Sequence, residues 1–311
     1  MTVAFKSIPN GSHEENTGAV AKAYNEAGDR YQTYADGDLD KLYAFGGRYS
    51  FGDRQTWAVI EQRLHKLRLS GARSLRILDL GCGPGTWIRR TVACAQRMGF
   101  TDITARGVDL SDFQIRRART LSRGLAARPD MHLCFEVGDI RGKLPEPDKS
   151  VDLCLCLYGV INHLAVGELD AFLREISRVT SGGLIATVRT IGSTPTIYVD
   201  AVSTARNFRQ NNDLDRLEVE FQSGKLAAFH SHLFSRAEIR ALVTPFMNIE
   251  DLRGLDLFHG RFAGDRRWNP PRAASTDKFM RELAALESRY SHDPEFMDHA
   301  THLLIVAGPA R

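Results

Sequence analysis

From Gly71 onward the chain changes rhythm: short apolar runs at 75–80, 103–108, 132–137, 151–157 and 184–188 alternate with helically spaced stretches at 85–98, 112–124 and 168–178. Strands that alternate with helices build βαβ units, which means a parallel sheet covered on both faces. Right-handed crossovers leave few topologies for such a chain. The fold class expected is α/β: a doubly wound, Rossmann-like sheet.

The remaining chain is divided around that core. Residues 1–55 are expected to form an N-terminal helical arm, and 56–190 the α/β core, entered through a helix over 56–68. Residues 191–234 break the rhythm and read as an insertion, with a short helix near 198–209. Two alternating runs, 217–221 and 225–232, then flank Ser223-Gly224 as a hairpin. Ser235 caps a helix, with Glu238 three residues on. Residues 235–311 supply strands at 249–257 and 302–307, around an insertion at 258–300 whose stretch 259–276 reads as a loop before a helix over 277–290. Residues 1 to 12 carry no ordering signal.

The first strand runs into Asp79-Leu80-Gly81-Cys82-Gly83-Pro84-Gly85-Thr86. A tight turn that lets a ligand approach the backbone needs residues without side chains. Pro84 suits the first turn of a helix. The spacing G-x-G-x-G is not the G-x-G-x-x-G that seats a dinucleotide pyrophosphate. Carboxylates close two later strands, at Asp109 and Asp139, where open α/β sheets bind ligands.

This segment resembles the first motif of class I S-adenosylmethionine (SAM)-dependent methyltransferases, and the resemblance extends through the later strand ends, firmly over 56–190. It implies a seven-stranded, mostly parallel sheet with an antiparallel last strand, and SAM as cofactor. Gly81, Gly83 and Gly85 would form the cofactor turn, with Asp79 near the methionine end. Asp109, with Leu110 beside it, would hold the ribose hydroxyls, for which a carboxylate that accepts two bonds is suited. Asp139 would accept from the adenine amino group, and Ile140 would pack on the ring. Tyr158, past the fourth strand, is expected to wall the cofactor pocket. The arm, with Tyr24, Tyr31, Tyr34, Tyr43, Phe45, Tyr49 and Phe51, reads either as core packing or as a lid, with Tyr31 its candidate cofactor contact. Similar small-molecule methyltransferases often close the pocket in this way.

His163 is the single catalytic candidate. It follows the fourth strand, where the acceptor would lie, and a histidine can take a proton near neutral pH. The alternative is a histidine that positions backbone at a helix start. His230 and His232 share a strand face but lack a third ligand, so no metal is expected. Cys154 and Cys156 read as core. Arg261, Arg266, Arg267 and Arg272 around Trp268 read as a solvated loop, a clamp for an anionic acceptor, or a nucleic-acid contact.

A net charge of +3 gives no bulk argument for nucleic acid. There is no signal-peptide pattern and no apolar run of membrane-spanning length, so no membrane partner is expected. Five cysteines in predicted strands and helices suggest reduced thiols and the cytoplasm. The oligomeric state is left open; a homodimer is compatible. Because a sulfonium methyl is already activated, the fold serves many acceptors. The leading expectation is methyl transfer to an O, N or C nucleophile of a small molecule, such as a specialised metabolite. The alternatives are an RNA or protein methyltransferase, a SAM-binding cyclase or regulator, and a dinucleotide oxidoreductase, which the glycine spacing disfavours.

Overall fold

The computed structural model describes residues 13–36, 38–45, 49–192, 197–199, 205–262 and 273–310, with the backbone alone at 13–14, 30–36, 197–199, 261 and 273–277. Seven strands form the main sheet in the order β10-β11-β5-β4-β1-β2-β3. They are β1 (Ser74–Leu80), β2 (Asp102–Asp109), β3 (Met131–Val137), β4 (Val151–Cys156), β5 (Thr180–Arg189), β10 (Met247–Leu255) and β11 (His302–Pro309). β11 runs antiparallel to both neighbours, while β3, β2, β1, β4 and β5 are parallel. The chain steps outward one way from β1 to β3 and the other way from β4 to β5. The crevice therefore opens where β1 and β4 meet, at their carboxyl ends.

Helices α2 (Ser50–Leu69), α3 (Thr86–Arg97) and α4 (Asp112–Leu121) cover one face of the sheet. Their Ile60, Leu64, Ile88, Val92 and Ile115 pack on Ile77, Ile103 and Leu155. The opposite face carries α6 (Val166–Val179) and α7 (Arg236–Val243), with Phe172, Ile176 and Ile239 against Leu78, Cys154 and Ile305. Ser235 caps α7 by accepting from the Glu238 backbone N–H, as its spacing implied. A short α5 (Arg123–Ala126) follows α4, and α9 (Ala273–Tyr290) and α10 (Pro294–Met297) precede β11.

A second, all-antiparallel sheet stands outside this core, in the order β6-β7-β8-β9: β6 (Ile197–Val199), β7 (Ala205–Asn211), β8 (Arg216–Phe221) and β9 (Leu226–His230). The hairpin at Ser223-Gly224 is present, with Gly224 at φ +83°. The helix expected over 198–209 is not: its described residues are strands, with Phe208 opposite Val219 and Gln210 opposite Leu217. Pairing with distant β8 decides a segment whose own pattern is ambiguous. α1 (His13–Asp36), kinked at Gly28, lies on this sheet. Val20 and Ala23 join Leu217, Val219, Phe221 and Phe229 in a small core separate from the other two.

The stretch 259–276 is partly helical rather than loop: His259–Phe262 form α8, and α9 begins at Ala273. The rest of the Arg/Trp cluster, including Arg266, Arg267, Trp268 and Arg272, lies outside the described residues, as does the Arg261 side chain. Of the five cysteines, four are buried; Cys134 is exposed because β3 is an edge strand. No described helix is long and apolar enough to cross a membrane.

Candidate functional site

The turn after β1 is tied to the neighbouring strand: the Gly81 and Cys82 N–H groups donate to the Val108 carbonyl at 2.7 and 3.0 Å. Gly81 has φ +73°, and a Cβ there would lie 2.2 Å from Val160 Cγ2, so only glycine fits between the two strand ends. At Gly83, φ +52°, a Cβ would meet nothing within 4 Å; it would project into the open cleft. The Gly83 N–H donates to Asp109 Oδ2 at 2.9 Å, and the Ser111 N–H to Oδ1 at 2.8 Å. Each carboxylate oxygen keeps a second lone pair. Burial raises the Asp109 pKa, against the lowering effect of these two N–H bonds.

The cleft encloses about 1050 Å³, the space open to solvent included, near the upper end of pockets that hold small ligands, roughly 300–1,000 Å³. Asp79, Gly81, Gly83, Asp109, Leu110, Asp139, Ile140 and Tyr158, all expected at the cofactor, line it together with His163. Gly85 supports the turn from below: a Cβ there would meet the Phe135 ring at 2.8 Å. The Tyr31 and Tyr34 side chains lie outside the described residues, so their expected part in the lid is not seen.

Asp139 is engaged more than its sequence context suggests. Arg141 Nη2 lies 2.5 Å from its Oδ2, and a second nitrogen of the same guanidinium reaches Glu168 at 3.0 Å. Burial acts to raise the Asp139 pKa, but bonds from the Arg141 side chain and backbone outweigh it, and the carboxyl sits below its ordinary value. Arg141 itself lines the cleft. Nothing in its spacing pointed to that beyond its place two residues after Asp139.

His163 sits in a short 3₁₀ turn, Ile161–His163, which Asn162 fixes by donating to the Arg189 carbonyl at 3.0 Å. Its Nδ1 is 3.0 Å from the His230 carbonyl oxygen and its Nε2 is 3.0 Å from the Tyr24 hydroxyl. A carbonyl only accepts, so Nδ1 carries the hydrogen, and in the neutral ring Nε2 accepts from Tyr24. Burial lowers its pKa to about 4, with Arg189 adding to the effect against the His230 carbonyl bond.

Tyr24 belongs to α1, whose Asn16, Thr17 and Val20 also line the cleft. The His230 N–H donates to Asn16 Oδ1 at 2.7 Å, and Glu26 accepts from Ser223 at 2.6 Å and pairs with Lys225 at 2.5 Å. On the other side Asn25 Oδ1 accepts from the Ser111 hydroxyl at 2.6 Å and the Phe113 N–H at 3.2 Å. α1 therefore spans from the second sheet to the start of α4, across the mouth of the cleft.

The later aromatics of the arm sit elsewhere. Tyr43 donates to the Arg90 carbonyl at 2.7 Å and Phe45 is buried in the main core. Tyr49 meets His302 edge-on at 5.0 Å, and Phe51 stacks on His259 at 5.1 Å. His232 bonds Asp215 at 2.8 Å and approaches Glu238 at 3.3 Å. Among the described residues no three His, Cys, Asp or Glu side chains are placed to hold a metal ion.

Residues 77–183 match the family model described as a methyltransferase domain. No curated protein matches the chain in sequence. Among solved structures, a SAM-dependent methyltransferase from Clostridium acetobutylicum is similar at TM-score 0.54 and 13% identity, over 83% of this chain and 92% of that one. The 4+2 cyclase SpnF has TM-score 0.54 and 18% identity, covering 98% and 100%. Magnesium protoporphyrin IX methyltransferase (ChlM) from Synechocystis PCC 6803, with bound SAM, has TM-score 0.51 and 14% identity, covering 97% and 100%. At these identities the structures establish the fold alone. The glycine turn, the open Gly83 cradle and the lone pairs left on Asp109 fit SAM. The matched domain and the sheet order β10-β11-β5-β4-β1-β2-β3 together show that the chain carries a SAM-dependent methyltransferase domain of the class I fold.

Proposed function

We propose that this enzyme methylates a small-molecule nucleophile in a cleft closed by α1 and the second sheet. The supporting observation is the roof: Asn16, Thr17, Val20 and Tyr24 of α1 line the same cleft as the glycine turn. A roof so close favours a small acceptor over a folded macromolecule. SAM supplies a methyl group on a positively charged sulfur. The chain's own work is to hold and align, and to keep water out. Asp109 holds the ribose end, Leu110 and Ile140 pack the adenine, and Trp87, Leu157 and Tyr158 wall the reacting end. His163 is neutral and shapes the roof by accepting from Tyr24. α1 acts as the lid. The cytoplasm suits the thiols, none of which is in a disulfide.

The test is to supply SAM with a labelled methyl group together with fractionated cell extract. Label is expected in the small-molecule fraction. Asp109→Ala should weaken SAM binding roughly tenfold to a hundredfold, since bonds to a charged group contribute about 1.5–3 kcal/mol. Label in the RNA or protein fraction would overturn the small-molecule reading. SAM binding with no label transferred to any fraction would point to a cyclase or a regulator instead.

A further inference from the structure

Behind the wall formed by Trp87, Leu157 and Tyr158 lies a second, smaller chamber of about 260 Å³, the space open to solvent included. It sits between α2 and the carboxyl ends of β4, β5 and β10, lined by Tyr49, Gly52, Asp53, Asp256 and His302. Its polar groups are far from balanced. Asp256 follows β10 with φ +56° and is 1% exposed. Its Oδ1 accepts from the Gly52 N–H at 3.3 Å, while its Oδ2 has no hydrogen-bond partner among the described residues. A Cβ on residue 52 would come within 2.6 Å of that oxygen, so the glycine is what lets the carboxylate face the chamber. Asp53, 3% exposed, accepts from the Tyr158 hydroxyl.

A third carboxylate stands behind these two. Glu287, 1% exposed, accepts from the backbone N–H groups of Leu257, Phe258 and His259 at 3.1, 2.8 and 2.8 Å. Burial, and then Glu287 and Asp53, push the Asp256 pKa well above the usual carboxylate range, against the Gly52 bond and the charge of Arg54. The nearby imidazoles carry no positive charge at neutral pH: burial lowers His302 to about 3 and His259 to about 4, with Arg189 and Arg54 respectively adding to the effect. A buried acceptor without a donor costs free energy. An N–H donor with positive charge would remove that cost and offset the crowding of carboxylates.

The geometry points to this chamber as the site for a protonated amine of the methyl acceptor, its N–H groups donating to Asp256 Oδ2 and to Asp53. The inference rests on the small-molecule methyl-transfer reading, whose cofactor cleft shares Trp87, Leu157 and Tyr158 with the chamber. The rings of Tyr49, Tyr158 and Trp87 at its walls also suit a cation. An anion would meet two carboxylates. A neutral alcohol would bring a donor without the charge. A metal ion lacks a third ligand among the described residues.

The wild-type protein, labelled with ¹⁵N at its three tryptophan indoles, allows a direct test at pH 7 with n-butylammonium chloride as probe and n-butanol as its neutral counterpart. Trp87→Phe assigns the Trp87 signal. Butylammonium should shift that signal saturably, and butanol should require at least tenfold higher concentration. Asp256→Asn and Asp53→Asn should each weaken the ammonium response about tenfold. Equal responses to the two probes overturn the inference without any variant, as does an ammonium response unchanged in both folded variants. SAM binding is measured separately on the same sample by calorimetry. If SAM fails to bind, the methyl-transfer reading fails; if SAM binds and the ammonium does not, only the amine site fails.

Discussion

The expected base and the observed histidine differ in what holds them. His163 is where the fourth motif placed it, on the cleft, yet both ring nitrogens are committed: Nδ1 to the His230 carbonyl at 3.0 Å and Nε2 to Tyr24 at 3.0 Å. Sequence shows the position but not the partners, which arrive from β9 and α1. The burial that lowers its pKa from 6.5 to about 4 has a consequence for stability. Between those values the unfolded chain binds a proton that the folded chain does not. The contribution of this group is therefore fully present above pH 6.5 and is lost as pH falls toward 4, at up to about 1.4 kcal/mol per pH unit. Carboxyls with raised pKa, such as Asp109, work in the opposite sense, so the wild-type curve alone does not isolate the histidine. The difference between wild type and His163→Asn does. Urea midpoints of the two should converge as pH is lowered from 7 to 4. A constant gap across that range would mean that the ring titrates in the fold as it does in the unfolded chain.

At the scale of elements, the glycine turn and Asp109 were legible because the whole device is local: strand, turn and helix lie within one stretch, and the second strand's end follows by the parallel rule. The carboxylates of the second chamber were not. Asp53 lies on α2 and Asp256 after β10, and only the sheet order brings them to one place. The arm was legible as helix, but its division of labour was not: α1 roofs the cleft, whereas Tyr43, Phe45 and Phe51 pack below. α1 packs its apolar face on the small sheet and meets the main domain largely through the polar groups of Asn16, Tyr24 and Asn25, contacts that can open locally. Asn16 is the bridge, its amide joining α1 to the backbones of His163 and His230. Asn16→Ala should raise amide exchange across 13–28 several-fold without changing the exchange of β1 and β4. S-adenosylhomocysteine should slow that exchange in the wild type and less so in the variant. Indifference of α1 to the product would count against a lid.

The described residues of the molecule form three cores, and they do not depend on one another equally. The two faces of the seven-stranded sheet share its strands, so neither core persists without the other. The third is built by α1 on the small sheet and meets the rest mainly through the 3₁₀ turn at His163 and the start of α4. Sequence pattern placed an arm at one end and an insertion in the middle. It did not show that each covers the other's apolar face, since Val20 and Phe229 are brought together only by the fold. A four-stranded sheet needs a covered face to be stable. Removing residues 1–36 would strip that cover from Leu217, Val219, Phe221 and Phe229 while leaving β1 to β5 with both layers of helices. Hydrogen exchange should then accelerate over 205–230 by at least tenfold, with 74–80, 102–109 and 151–156 unchanged. The truncated chain should retain its main thermal transition, because the larger cores set that transition. Acceleration shared equally by both sheets would show a single cooperative unit. An unaltered small sheet would show that α1 rests on it without supporting it, and the lid would then be free to move without disturbing the cap.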